Sequence, residues 1–324
     1  MRQIIIAAFI AACALIGAGN AQDYPTRPVT MVIPFAAGGP TDVLGRVVAD
    51  RMSQLLGQQV VVENVGGAGG MTGIQRVAQA APDGYTIALG TVGTHAQNQT
   101  LYKRPLYNAA TDFTPVALLA QVPLVLIARK DLPVNNLKEF IAYAKANEDK
   151  MSYGSAGAGS ATHLGCVLLN AAIGVNIQHV PYRGTGPAMQ DLAAGRIDYL
   201  CEIVTTALPQ IQGGTVKPIA MLSLQRSPVL PNLATANESG LPNFEAYTWN
   251  ALFLPKGAPA PIVKKLYDVA VETMKTPAVK ERLEGLGAIV MPADKMTPDY
   301  LDKFVKSEIE KWAAPIHSSG ATIE

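Results

Sequence analysis

The chain is poor in the residues that most chemistry needs. Its 324 residues include only 3 cysteines, 4 histidines and 2 tryptophans, and only 16% of its side chains are charged. Three cysteines make no disulfide framework, and Cys166 and Cys201 stand at no metal-ligand spacing. In an oxidising compartment those two could pair; the simpler expectation is two buried free thiols. His95, His163, His179 and His317 form no H-x-x-x-H pattern, so neither a metal nor a cofactor is expected. Lys and Arg total 26 against 25 Asp and Glu, with no basic run, which argues against a nucleic-acid surface. Beyond the N-terminus no apolar stretch reaches the roughly 18 residues of a membrane span. Neither a G-x-S-x-G elbow nor a G-x-x-x-x-G-K-[ST] loop occurs, which removes two common motifs for nucleophiles and nucleotides.

What is present starts with an export signal. Met1-Arg2-Gln3 carries one positive charge, the apolar run IIIAAFIAACALIGAG follows, and Gly19-Asn20-Ala21 supplies small residues for cleavage. Residues 1–21 therefore read as a signal peptide cut after Ala21. A rival reading takes Ile10-Ala11-Ala12-Cys13 as a lipid-attachment box. Its apolar run of about nine residues lies toward the short end for such a signal. Loss of Arg2 leaves 25 residues of each sign, so the mature chain is formally neutral.

The remainder alternates β-like runs with amphipathic helices. VTMVIPF (29–35), QVVVENV (59–65) and YTIALGT (85–91) read as strands. VLGRVVADRMSQLLG (43–57) and MTGIQRVAQAA (71–81) read as the helices between them. The order recurs later, with MSYGSAG (151–157), a helix over 160–174, a strand over 175–184, a helix over 187–195 and a strand over 196–204. Strand, glycine and helix in alternation predict parallel βαβ units. Two such sets predict two similar α/β lobes. DFTPVALLAQVPLVLIARKD (112–131) is expected to hold two strands split by Pro123, one leaving the first lobe and one entering the second. YTWNALFLPKGAP (247–259) gives a second crossing, and helices over 261–275 and 298–320 should return to the first lobe. The last of them has Thr297 as cap and Pro298 in its first turn. The resulting division is 22–122 with 249–324 as lobe 1 and 123–248 as lobe 2, joined by two hinge crossings.

Chemistry then points to the glycine corners. A helix N-terminus presents unsatisfied N–H groups and about half a positive charge, so it binds anions without Lys or Arg. PFAAGGPTD (34–42), GTVGTHAQN (90–98), GSAGAGSATH (154–163) and VPYRGTG (180–186) all follow predicted parallel strands. That edge of an open α/β sheet is where ligands bind. GGAGGMTG (66–73) also opens a helix. It lacks the G-x-G-x-x-G spacing and the ribose-binding acid of a dinucleotide loop. Ser160 and His163 could be drawn as nucleophile and base, although no carboxylate is placed to orient the imidazole; Ser160 as a helix cap is the plainer reading.

The chain resembles the Bug-type extracytoplasmic solute receptors of tripartite tricarboxylate transporters. The resemblance is carried by YPTRPVTMVIPFAAGGPTDVLGR, VVVENVGGAGG, DGYTIALGT, DFTPVALL, YGSAGAGSATHL, VPYRGTGPAMQDLAAGRID and LFLPKGAPAPIV, in that order over essentially the whole mature length. It implies an α/β, two-lobed, type II-like periplasmic-binding-protein fold, with mainly parallel sheets flanked by helices. The lobes would close over a small organic acid. The implied cradle uses Phe35, Ala36, Gly38, Gly39 and Thr41 from one lobe, with Asp42 bracing the loop. Ser155, Ala156, Gly157, Ser160 and His163 serve from the other lobe. Distal contacts would come from Thr91, Gly93, Thr94 and His95 and from Tyr182, Arg183 and Glu202, where Arg183 could instead staple its loop. Glu202 could accept from a ligand donor, or equally face solvent or pair with a lysine. The implied partners are a carboxylate ligand and the inner-membrane permease subunits, with the receptor acting as a monomer in the periplasm. Two other classes stay open at this level: an exported hydrolase or isomerase with His163 or His95 as base, and a ligand-sensing subunit.

Overall fold

The computed structural model describes residues 24–324, so the expected signal peptide and Cys13 lie outside the described residues. The β-branched runs become strands and the glycines punctuate them. Strand β1 (Val29–Ile33) lies between and parallel to β2 (Val60–Asn64) and β3 (Thr86–Thr91). Helices α1 (Pro40–Leu56) and α2 (Met71–Ala78) make the crossovers. Their apolar stripes, Leu44, Val48 and Met52 on α1 and Ile74 and Val77 on α2, are fully buried or nearly so. After β3 the chain winds into a π-helical turn, Gly93–Gln97, and one further helical turn, Asn98–Leu101.

The second parallel set is β5 (Ser152–Ser155) between β6 (Gln178–Pro181) and β7 (Tyr199–Ile203). It is preceded by α3 (Leu137–Asn147), and its crossovers are α4 (Ala161–Ile173) and α5 (Thr185–Ala193). Next come α6 (Val204–Gln212) and β8 (Val216–Met221). The chain returns through β9 (Tyr247–Pro255), α7 (Ala260–Lys275), α8 (Pro277–Gly285), the short β10 (Ile289–Val290) and α9 (Pro298–Ser319). As expected, Thr297 caps α9 by accepting from the Tyr300 N–H at 3.2 Å.

One strand joins the two sets. β4 runs unbroken from Phe113 to Arg129, 17 residues, and Pro123 does not split it. Residues 113–123 pair antiparallel with β9, and from Leu124 onward the partners become β7 and β8. Proline lacks a ladder donor, which breaks most strands. Here it occupies the residue at which β4 exchanges one set of neighbours for another. The expected pair of strands is therefore a single one.

The C-terminal helices pack mainly on elements of the first parallel set and on β4. α7 covers α1 and β4, while α9 lies on the π-helical turn and β4 and also reaches α4. Buried Glu308 fixes α9 to β9 by accepting from Tyr247 Oη (2.7 Å), Trp249 Nε1 (3.0 Å) and Trp312 Nε1 (3.1 Å). A second expectation is corrected at Cys166 and Cys201. They form a disulfide between α4 and β7, with Cα atoms 5.4 Å apart. Thirty-five residues of sequence separation gave no hint of this proximity.

Candidate ligand site between the lobes

The strand–glycine–helix corners converge on one narrow cleft. Phe35, Gly39, Pro40, Thr41 and Thr91 line it from the first parallel set. Ala156, Ser160, Ala161, Thr162, Thr185 and Ile203 line it from the second, and Thr248 closes it from β9. No charged side chain is in this wall. Three helices begin at it: α1 at Pro40–Thr41, α4 at Ala161–Thr162 and α5 at Thr185. First-turn N–H groups have no intrahelical acceptor, so the positive ends of helices from both lobes face one uncharged space. An anion there meets donors and no repelling charge.

Most other loop N–H groups are quenched internally. At the first corner, Asp42 is buried and accepts from Gly38 N (2.9 Å), Arg46 Nε (3.0 Å) and Asn64 Nδ2 (2.9 Å). Burial alone would raise its pKa, but the bonds from Arg46, the Gly38 N–H and Asn64 outweigh it and hold the carboxyl below its usual range. Asp42 thus faces the loop, and the Ala36 N–H is spent on the Arg183 carbonyl at 3.0 Å. Among the expected cradle donors Ala36 and Gly38 are therefore already satisfied.

At the second corner the same task falls to neutral groups. Ala156 N donates to Thr162 Oγ1 (2.9 Å), Gly157 N to Ser155 Oγ (3.0 Å) and Gly159 N to His163 Nδ1 (3.2 Å). Ser155 Oγ lies 2.7 Å from His179 Nε2, and the His163 and His179 rings are 4.3 Å apart. Burial drives both imidazole pKa values down, to about 3 for His163 and about 4 for His179. They are neutral braces of the loop. Ser160 Oγ accepts from the His163 N–H at 3.2 Å and caps α4, as the plainer reading had it.

Several expected ligand residues stand elsewhere. His95 is fully buried behind β3, stacked on Phe253 at 3.9 Å and flanked by Phe113, with Nδ1 2.9 Å from Thr94 Oγ1. Thr94 is itself tied to the Thr91 N–H at 2.9 Å. Tyr182 Oη donates to Asp191 at 2.7 Å, and the Arg183 side chain is exposed, outside the cleft wall. Only the Arg183 carbonyl joins the loops. Glu202 neither faces solvent nor meets a lysine; it is wholly buried. Its Oε1 accepts from Thr206 Oγ1 (2.8 Å), Ile203 N (3.0 Å) and Thr185 Oγ1 (3.1 Å).

The wall residues that sequence reasoning passed over are Pro40, Ala161, Thr162, Thr185, Ile203 and Thr248. For Thr185 a signal existed. It follows Gly184 at a helix start, as Thr41 follows the Gly38-Gly39 pair one proline earlier. Tyr182 and Arg183, with larger functional groups in the same loop, drew the assignment instead.

Glycine also lets the two sides touch. A Cβ on Gly93 would stand 2.9 Å from the Gly159 carbonyl oxygen, and one on Gly69 would land on the Ala158 carbonyl. Such approaches belong to lobes in contact.

The family profile described as Tripartite tricarboxylate transporter family receptor matches residues 44–321. The chain belongs to this receptor family. Among solved relatives of the receptor is the periplasmic binding protein BugD, 44% identical, with a TM-score of 0.90 over 93% of this chain and 100% of that one. MatC of Rhodopseudomonas palustris, solved with bound malate, is 41% identical, with a TM-score of 0.88 over 90% and 100%. Rpa4515 of R. palustris, solved with adipate, is 35% identical, with a TM-score of 0.88 over 93% and 100%. The receptor accordingly has the two-lobed α/β fold of periplasmic binding proteins, and its relatives are binding proteins.

Proposed function

We propose that this receptor captures a small mono- or dicarboxylate in the periplasm by closure of its two lobes and passes it to a tripartite tricarboxylate permease. The observation that carries this reading is the convergence of three helix N-termini, drawn from both sides, on a cleft with no charged wall. Closure requires that the bound molecule interact better with the closed form than the open one, and a carboxylate bonded to both sides does so. The change of partners along β4 at Pro123, paired with Tyr247, supports the lobe division 22–122 with 249–324 and 123–248. Export by residues 1–21 and action as a monomer complete the proposal.

Thr41 and Ser160, with the first-turn N–H groups of α1 and α4, are assigned to the carboxylate common to many substrates. Thr91, Thr185 and Thr248 are assigned to the remainder of the molecule. Binding of malate by one relative and adipate by another supports a dicarboxylate. A hydrolase reading finds no support in the histidines. His163 spends Nδ1 on Gly159, and His95 sits in an aromatic cluster away from the cleft. The test is a panel of organic acids and uncharged analogues, screened by thermal shift and titration calorimetry on the mature protein. Acids should raise the melting temperature. If only uncharged solutes do so, the carboxylate reading fails.

A further inference from the structure

Glu202 is a carboxyl without a counter-charge. Its side chain is fully buried, all three of its hydrogen bonds fall on Oε1, and Oε2 has no partner. An ionised carboxylate normally distributes its donors over both oxygens and takes a cation when buried. The groups packed around it supply neither. β4 places Val125 opposite it in register, α5 contributes Thr185, β7 itself Ile203 and α6 Thr206. α4 presents Cys166 to β7, closed in the disulfide, and β5 pairs with β7 through Tyr153 and Gly154. The other titratable side chains on these two strands are Tyr153 and Tyr199, both neutral, with pKa values pushed up by burial. On the surrounding elements stand Arg282, in an outer groove that Thr206 also lines, the Asp42–Arg46 pair on α1, and neutral His163 on α4.

The position of Glu202 gives this arrangement a consequence for binding. Thr185 and Ile203, two of the groups bonded to Oε1, are also cleft wall. An acid oxygen at hydrogen-bond distance from Thr185 Oγ1 stands within about 6 Å of Glu202 Oε1, two hydrogen-bond lengths away. Because that hydroxyl has one proton, now given to Oε1, the two acceptors compete for it. Two negative charges so close in a water-poor cavity disfavour each other, and the group able to take up a proton is Glu202. Burial has already raised its pKa to about 7, so protonation requires only a small further shift.

We propose that Glu202 is a proton-linked specificity residue: capture of a carboxylate is accompanied by uptake of one proton from solvent, which settles on the unpartnered Oε2. The inference rests on the carboxylate reading of the same cleft. The proton leaves a buffer acid and forms the Oε2–H bond, so the bound site carries one negative charge fewer. The sign follows from linkage. A group protonated more in the bound than in the free state makes binding weaken as pH rises, by up to tenfold per pH unit above its free pKa for full coupling, or about 1.4 kcal/mol.

The experiment is titration calorimetry of the mature protein with malate, succinate and adipate between about pH 6 and 8.5, in phosphate and in Tris. Their unequal ionisation enthalpies reveal proton exchange. The expected result is uptake of roughly half to three-quarters of a proton near pH 7.5 and weakening toward pH 8.5. Glu202→Gln, neutral and of the same shape, should bind with little dependence on pH or buffer. Buffer-independent enthalpy in the wild type overturns the proposal without needing any variant. So does a pH slope that survives in Glu202→Gln. Affinity that rises with pH also overturns it. If none of the three acids binds at any pH, the inference falls together with the carboxylate reading. If they bind without proton exchange, it falls alone.

Discussion

At residues 35–42 the spare loop N–H is taken by a carboxylate, whereas at 155–163 it is taken by hydroxyls and an imidazole. Asp42 is tied to Arg46 and Asn64, so the first corner is braced by an ion pair with one exposed member. The second uses Ser155, Thr162 and His163, with His179 behind them, and no ionised group. Both end in the same functional state: internal acceptors quench the loop and leave helix-start N–H groups facing the cleft. The comparison teaches that the proposed anion site is defined by which donors are left over, and that charge and neutral acceptors are interchangeable ways of removing the rest. They are not interchangeable in acid.

The largest effect is expected from blocking the contact between the corners. Gly93→Val places a Cβ against the Gly159 carbonyl, and if the proposed closure makes this contact, overpacking of about 1–3 kcal/mol falls on the closed form. Binding should weaken roughly 10- to 100-fold, by the same energy, with the ligand-free melting temperature nearly unchanged. Calorimetry paired with a melt separates the two quantities. Equal losses in both would show that the contact is ordinary core packing.

The next effect sharpens the contrast between braces. Asp42→Ala strands the Gly38 N–H and the Arg46 guanidinium, while Ser155→Ala strands only the Gly157 N–H and a histidine nitrogen. Charged hydrogen bonds contribute about 1.5–3 kcal/mol and neutral ones about 0.5–1.5. Denaturant titration should therefore rank Asp42→Ala as the more destabilising. The reverse order would mean that the ion pair, half in solvent, contributes little.

A pH dependence also distinguishes the corners. His163 and His179 have folded pKa values of about 3 and about 4, below the ordinary 6.5, so their contribution is complete above 6.5 and is lost as pH falls from there. The Asp42 contribution is complete above 3.8 and fades only below it. Melting temperature should thus decline between about pH 6.5 and 4 while the first corner is still intact. His163→Gln with His179→Gln should lessen that decline, leaving the share of His95, whose pKa burial also lowers to about 3. An unchanged decline would assign it to groups outside the second corner.

Much of this was legible in the chain, and the limits have physical causes. Parallel units, helix ends and the cap at Thr297 follow from periodicity and local hydrogen bonding, which are encoded within a few residues. The corners were legible for the same reason, and so was the bracing role of Asp42. What escaped depended on contacts far apart in sequence. His95 reads as a polar residue beside a glycine loop until Phe253, 158 positions later, stacks on it. Pro123 reads as a break until its neighbours on both flanks are known. The cysteine pair and Thr185 failed likewise, since burial and facing direction are set by elements elsewhere in the chain.

The unbroken β4 constrains how such a receptor can be rebuilt. Because its first two-thirds belong to one parallel set and its last third to the other, neither lobe is a cassette that can be cut out whole. A chimera exchanging residues 123–248 with a relative would splice inside a hydrogen-bonded ladder, at the residue facing Tyr247. Exchanges confined to the loops after β3, β5 and β6 leave that ladder untouched. New ligand preference should therefore be graftable loop by loop, whereas whole-lobe swaps should misassemble.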